Sequence, residues 1–119
     1  MKITTIIPTY NEAENIPRLL EILFGLPLDD FNVLVIDDNS RDGTGQIVDE
    51  LVNKYPGRLS VIHRPGKLGL GSAYITGFQH LLKGDSEAIG QMDADFSHEP
   101  AKVLELVKAL EDCDVAIGS

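Results

Sequence analysis

Short apolar runs alternate with stretches of helical periodicity along the whole chain, and this alternation limits the fold more than any other feature of the sequence. Residues 3–7 (Ile-Thr-Thr-Ile-Ile) read as a buried strand that stops at Pro8. Ile16, Leu19, Leu20, Leu23 and Phe24 then recur on one helical face. Two starts for that helix are open. Asn11 with Glu14 makes a capping box but leaves Pro17 inside the helix, whereas a start at Asn15 puts Pro17 in the first turn, where its missing N–H costs little. Residues 33–36 (Val-Leu-Val-Ile) are continuously apolar, as in strands covered on both faces of a parallel sheet. Ile47, Val48, Leu51, Val52 and Tyr55 mark a second helix, with Asp42 or Thr44 as its cap. A third strand is predicted over 59–63 and a third helix over 72–83, the latter ended by Gly84 as a left-handed terminator. A fourth strand is predicted over 88–92. Pro100 then opens a helix carrying Val103, Leu104, Val107 and Leu110, and a fifth strand begins at 114.

Repeated strand–helix units predict an α/β fold: a three-layer, mostly parallel sheet in a single domain over residues 1–119. Ligands of such sheets sit beyond the carboxyl ends of the strands, so the residues that end each strand carry the functional information. They are Pro8, Thr9, Tyr10, Asn11 and Glu12 after the first strand, Asp37 and Asp38 after the second, and Asp93, Ala94 and Asp95 after the fourth. The predicted topology converges these polar, largely acidic groups on one edge.

Charge narrows the partners. With 10 Lys+Arg against 19 Asp+Glu, the formal net charge of −9 argues against nucleic acid or an anionic membrane face as a broad ligand. A phosphorylated ligand stays compatible, because a divalent cation held by carboxylates bridges two negative partners. Cys113 is the only cysteine, which excludes an internal disulfide and makes a reducing compartment the default expectation. No run approaches the ~20 apolar residues that span a bilayer.

Asp93 and Asp95, one residue apart at a strand end, have two readings: aspartates capping the next helix, or ligands for Mg2+ or Mn2+ facing a diphosphate. Two further acidic strand ends in line with them favour the metal. Asp38 has the position from which an acid accepts hydrogen bonds from a base or ribose, as does Glu12, and Tyr10 is placed to lay its ring on a base. Gly66, Gly69 and Gly71 do not fit a phosphate loop and read as a turn into the third helix, where Ala73 and Gly77 allow close approach to the sheet. Arg64 and Lys67 read as solvated surface charges, and His63, His80 and His98 show no ligand spacing.

Four stretches, Pro8-Thr9-Tyr10-Asn11-Glu12, Asp37-Asp38-Asn39-Ser40 with Asp42-Gly43-Thr44, 67–74, and 92–100 around Asp93-Ala94-Asp95-Phe96-Ser97-His98, together resemble the polyprenyl-phosphate-mannose synthase branch (the dolichyl-phosphate mannosyltransferases) of the inverting family 2 glycosyltransferases. The resemblance runs the length of the chain and implies a GT-A fold. It also implies that Pro8, Tyr10, Glu12, Ile36 and Asp38 hold a guanosine and its ribose, and that Asp93, Ala94 and Asp95 meet the sugar diphosphate. Asp95 would be the principal metal ligand, supported by Asp93, and Ser97 stands where some relatives place a Gln. The implied reaction moves mannose from GDP-mannose to a polyprenyl or dolichyl phosphate with inversion. Members of that branch are longer, so the chain is expected to be the donor-binding part, truncated on its C-terminal side and inactive alone. Contact with a membrane surface is then expected through regions beyond it, at the cytoplasmic face.

Two rivals remain. A polyprenyl-phosphate glucosyltransferase using UDP-glucose would share most of these motifs. A response-regulator receiver is also a small acidic α/β module, but its acidic pocket lies on the first strand. Counting on from Asp37 and Asp38 to its phospho-accepting Asp lands near Leu82 and Lys83, in a predicted helix. The receiver is rejected on that spacing.

Overall fold

A computed structural model describes residues 2–28, 30–66, 69–84, 88–92 and 94. The described elements run β1 (Ile3–Thr9), α1 (Ile16–Phe24), β2 (Phe31–Asp37), α2 (Thr44–Lys54), β3 (Leu59–His63), α3 (Leu70–Leu81) and β4 (Ala88–Gln91). All strand pairs are parallel, in the order β3-β2-β1-β4. The expected fourth helix and fifth strand lie outside the described residues.

Side-chain alternation along the central strands divides the core in two. Ile3, Ile7, Val33 and Val35 face one way and pack with Ile16, Leu19, Leu20, Leu23 and Phe24 of α1 and Val48 of α2. Ile6, Leu34 and Ile36 face the other way, against Ala73, Tyr74 and Phe78 of α3. The result is the expected three-layer sandwich, with α1 and α2 on one face and α3 on the other. Phe24 closes the first layer, its ring 4.5 Å from that of Tyr55 and 6.3 Å from that of Phe31.

This division also fixes where a ligand belongs. The chain steps outward from β1 to β2 to β3, then returns past both to place β4 beside β1. Right-handed crossovers require the returning helix to lie on the opposite face, as α3 does. The strand order therefore reverses between β1 and β4, and the crevice at the carboxyl ends of those two strands is the usual ligand position in an open α/β sheet.

Local differences from the sequence reading have physical causes. β1 does not stop at Pro8 but runs to Thr9, with Pro8 in register with Ile36. Ile6 accepts from the Met92 amide, so Pro8, two residues on, also faces the β4 side, where pairing has already ended at Ile6–Gln91. A missing N–H is harmless there. α1 starts from Asn15, with Pro17 in the first turn, and the capping box at Asn11 does not form. The cap of α2 is neither Asp42 nor Thr44 but Gly43, at φ +91°. α3 begins at Leu70, two residues early, and Gly84 is not left-handed. Its amide instead donates to Leu81 O at 3.0 Å, a tightened i→i+3 bond that closes the helix without a left-handed residue.

Candidate functional site

β1 and β2 end side by side, with Thr9 paired to Asp37 and the Asp38 amide donating to Thr9 O at 3.1 Å. At that point the two aspartates part. Asp37 is buried: its Oδ1 accepts from the hydroxyls of Thr9 (2.7 Å) and Ser40 (2.6 Å), and its Oδ2 accepts from the Ser40 amide (3.2 Å). The start of α2 lies directly over it, because a Cβ on Gly45 would stand 3.0 Å from Asp37 Oδ2 and 3.2 Å from His63 Cε1. A carboxylate beside a helix N-terminus is electrostatically favourable. Asp37 thus holds the turn together.

Asp38 faces the other side of the sheet and forms a bidentate pair with Arg64: Nε donates to Oδ1 at 2.5 Å and Nη2 to Oδ2 at 2.8 Å. The side chains are 6% exposed for Arg64 and 8% for Asp38. Arg64 is therefore not the solvated surface charge expected from sequence. Its amide donates to Asp37 O at 2.8 Å, extending the β2–β3 ladder by a step and turning the side chain inward. Nη1 reaches Ser72 Oγ at 2.9 Å and Nη2 reaches Gly69 O at 3.3 Å, both at the start of α3.

The loops after β1 and β2 are fastened to each other by backbone amides meeting side chains. Asn11 N donates to Ser40 Oγ (2.9 Å), Arg41 N to Asn11 Oδ1 (3.0 Å), Glu12 N to Thr44 Oγ1 (3.0 Å) and Ala13 N to Asp42 Oδ2 (3.0 Å). Asn11 (φ 56°) and Asn39 (φ 52°) take the left-handed conformation that asparagine tolerates best after glycine. Burial acts to raise the Asp42 carboxyl, but hydrogen bonds from the Thr44 hydroxyl and the Ala13 and Thr44 amides outweigh it and hold the group below its ordinary value. Thr44 is fully buried and links the loops, accepting from Glu12 and donating to Asp42. Thr44→Val keeps the shape and removes both bonds. We expect a loss of about 1 kcal/mol, since Glu12 is only half-buried and water can recover part of its amide's bond. Urea denaturation of the variant checks it.

Of the residues singled out in the sequence, Tyr10 and Glu12 follow the end of β1, and Asp38 follows the adjacent end of β2. Tyr10 lies at the rim, 37% exposed, and the Glu12 carboxylate accepts from Asn15 Nδ2 at 3.1 Å. Pro8 and Ile36 are buried neighbours one step behind them, the Ile36 side chain packing in the α3-side core. Ala94 is buried with Met92 against the α1-side core. Asp93 and Asp95 lie outside the described residues, as do Lys67, Ser97 and His98. Among the described residues no group of three or more His, Cys, Asp or Glu is arranged to hold a metal. His63 sits at the end of β3, its Nε2 2.8 Å from Asp49 Oδ1 in an exposed pair, and His80 is exposed.

The supporting partners of Asp37 and Asp38 escaped the sequence reading, although one signal pointed to them. Val33 pairs with Leu59, an offset of 26, and Arg64 follows Asp38 by the same 26. The in-register extension of two short strands sets the arginine beside the acid.

The comparisons agree with this geometry. The family model described as glycosyl transferase family 2 matches residues 4–119. A polyprenol monophosphomannose synthase of Mycolicibacterium smegmatis is 44% identical over 96% of this chain and 43% of its own length. An undecaprenyl-phosphate mannosyltransferase of Micrococcus luteus is 43% identical over 100% of this chain and 48% of its own. The chain thus spans a little under half the length of these relatives. Among solved structures, a mannosyltransferase from Pyrobaculum calidifontis in complex with GDP-Man and Mn2+ superposes with a TM-score of 0.78 at 30% identity, covering 96% of this chain and 33% of that one. The parallel sheet, its switch point and the fastened strand ends are the N-terminal part of the GT-A fold, and the chain belongs to glycosyl transferase family 2.

Proposed function

We propose that this chain is the donor-binding part of a polyprenyl-phosphate mannosyltransferase, which moves mannose from GDP-mannose to a lipid phosphate with inversion. The observation that carries the reading is the position of Tyr10, Glu12 and Asp38 just after the adjacent carboxyl ends of β1 and β2, beside the switch point, in a chain more than 40% identical to enzymes named for that transfer. In this reading Pro8, Tyr10, Glu12, Ile36 and Asp38 hold the nucleoside, Tyr10 by its ring and the two acids by accepting from donors on base and ribose. Ile36, with its side chain in the core, contributes through its backbone.

Asp93 and Asp95 follow β4, whose end is bonded to β1 through the Met92 amide and Ile6 O. Two carboxylates are a hard-oxygen donor set of the kind that Mg2+ and Mn2+ prefer, and they fit that role by their chemistry. Asp93 and Asp95 would hold such a cation, and the chemistry it would supply is neutralisation of charge on a diphosphate leaving group. The chain's own residues supply orientation: the nucleoside contacts fix the donor so that its anomeric carbon lies open to an incoming phosphate oxygen. A phosphate acceptor needs little help from a general base, because its second pKa of about 6 leaves it ionised near neutrality. In this reading the reaction takes place at the cytoplasmic face of a membrane, where a lipid phosphate is reached.

Calorimetric titration with GDP and UDP, each with Mn2+ and with EDTA, tests the reading. GDP is expected to bind more tightly than UDP, and EDTA to weaken GDP binding at least several-fold, because a chain of net charge −9 repels a bare diphosphate. Preference for UDP would move the donor to a uridine sugar, and indifference to EDTA would remove Asp93 and Asp95 from the metal role.

A further inference from the structure

We propose that Arg64 is a positioning residue for the donor site, joining the carboxylate of Asp38 to the start of α3 through one guanidinium. Three elements meet at this side chain. Its Nε and Nη2 hold both oxygens of Asp38 at the end of β2, its Nη1 donates to Ser72 Oγ at 2.9 Å, and Nη2 also reaches Gly69 O at 3.3 Å. Thr76 Oγ1, one helical turn beyond Ser72, lies 3.5 Å from Nη1. Gly69 O is also the acceptor of the first α3 bond, from the Ala73 amide at 3.1 Å. Gly69 itself holds φ +94°, a conformation side chains rarely adopt.

The rigidity of the guanidinium makes this a link rather than a set of contacts. Its N–H groups lie in one plane at fixed angles, so the fork cannot rotate to follow Asp38 without withdrawing from Ser72 and Gly69. Burial of both side chains keeps water from replacing a withdrawn partner. The start of α3 therefore fixes the orientation of the Asp38 carboxylate before a ligand arrives. A ligand that hydrogen-bonds Asp38 in turn orders the start of α3. Lysine at position 64 would preserve the charge and lose the fork. The nucleotide side of this proposal rests on the donor-site reading above; the link between Asp38 and α3 does not.

The experiment is amide hydrogen exchange on wild type, Arg64→Lys and Ser72→Ala, without nucleotide and with saturating GDP and Mn2+, alongside melting temperatures and GDP affinities. Without nucleotide, Arg64→Lys is expected to speed exchange across 72–76 at least tenfold and leave α2 unchanged. Ser72→Ala, a milder change that removes one hydroxyl of a half-buried residue, is expected to do the same to a smaller degree with little change in melting temperature. With GDP, wild type is expected to gain protection across 72–76. Both variants should lose most of that gain, and Arg64→Lys should bind GDP about tenfold more weakly, an effect that a purely structural arginine would not produce in a well-folded variant. Unchanged exchange at α3 in the nucleotide-free variants overturns the link. Equal protection by GDP in all three proteins overturns the positioning role. Failure of wild type to bind GDP overturns the donor reading and the nucleotide half of the proposal, while the nucleotide-free comparison still decides the link.

Discussion

Asp38→Ala is expected to lower the unfolding free energy by about 3–5 kcal/mol, with no nucleotide present, because it strands a buried guanidinium. Arg64 is 6% exposed, and the fork to Asp38 supplies two of its hydrogen bonds. Removing one partner of a buried pair leaves the other to bear its full desolvation cost, whereas replacing both partners with apolar groups does not. The double variant Asp38→Leu/Arg64→Met is therefore expected to recover most of the loss, and a double-mutant cycle in urea, at constant m, measures the coupling. Against a typical domain stability of about 5–15 kcal/mol, a loss of this size approaches global unfolding. A single-variant loss under about 1 kcal/mol, typical of an exposed pair, would mean that water reaches the fork and would contradict the burial.

This expectation alters how binding data on the second acidic strand end must be read. Alanine at position 38 confounds recognition with folding, because in the proposed function the carboxylate that pairs with Arg64 is also the one that meets the nucleoside. Asp38→Asn keeps the volume and one acceptor oxygen, but it turns an NH2 toward the Arg64 fork and removes the counter-charge, so GDP affinities at this position are to be read beside the melting temperature. Asp37 is the opposite case. It is bonded to Thr9 and to Ser40 of its own turn, with Gly45 of α2 lying over it, so its substitution is expected to disturb the turn rather than a ligand.

The layer structure was legible because it depends on periodicity alone. Continuous apolar runs at β2 and a one-sided stripe at α1 have few other ways to be buried, and β3 falls on the residues expected, Leu59–His63. Ends were harder, since each is decided by a partner distant in sequence. Pro8 continues β1 because the β4 ladder stops short of it, and Gly43 takes the cap position of α2 while the Asp42 carboxylate, one residue before it, accepts from both the Thr44 and the Ala13 amides. At the site, the sequence picked out the acids but not their partners. Thr9, Ser40, Thr44 and Arg64 are unremarkable in composition; strand register brings Thr9 and Arg64 to the acids, and the turn after β2 brings Ser40 to Asp37 and Thr44 to Asp42. Arg64 was misread because a lone arginine after a short strand is usually solvated, and here a carboxylate across the ladder gives it a reason to be buried.

Two glycines of α3 are expected to respond to alanine with opposite signs. Inside a helix, alanine is intrinsically better than glycine by about 0.5–1 kcal/mol, so propensity favours both substitutions. Gly71 has open space where its Cβ would stand, and Gly71→Ala is expected to stabilise by about 0.4–1 kcal/mol. At Gly77 the same methyl would stand 2.8, 2.9 and 3.0 Å from three side-chain carbons of Ile6. Ile6 is fully buried in the central strand, with Leu34, Ile36 and Ala73 in the same cluster, so it has little room to give. Forcing a methyl into a filled interface costs about 1–3 kcal/mol, which outweighs the propensity gain. Gly77→Ala is therefore expected to destabilise, and Gly77→Leu to do so more severely by lifting α3 from the sheet. Since α3 also carries Ser72, a lifted helix should weaken the hold of Arg64 on Asp38 and lower GDP affinity, whereas Gly71→Ala should leave it unchanged. Thermal melts of the two alanine variants decide the point. A stabilised Gly77→Ala would show that α3 does not lie as close to β1 as the packing of Ile6 requires.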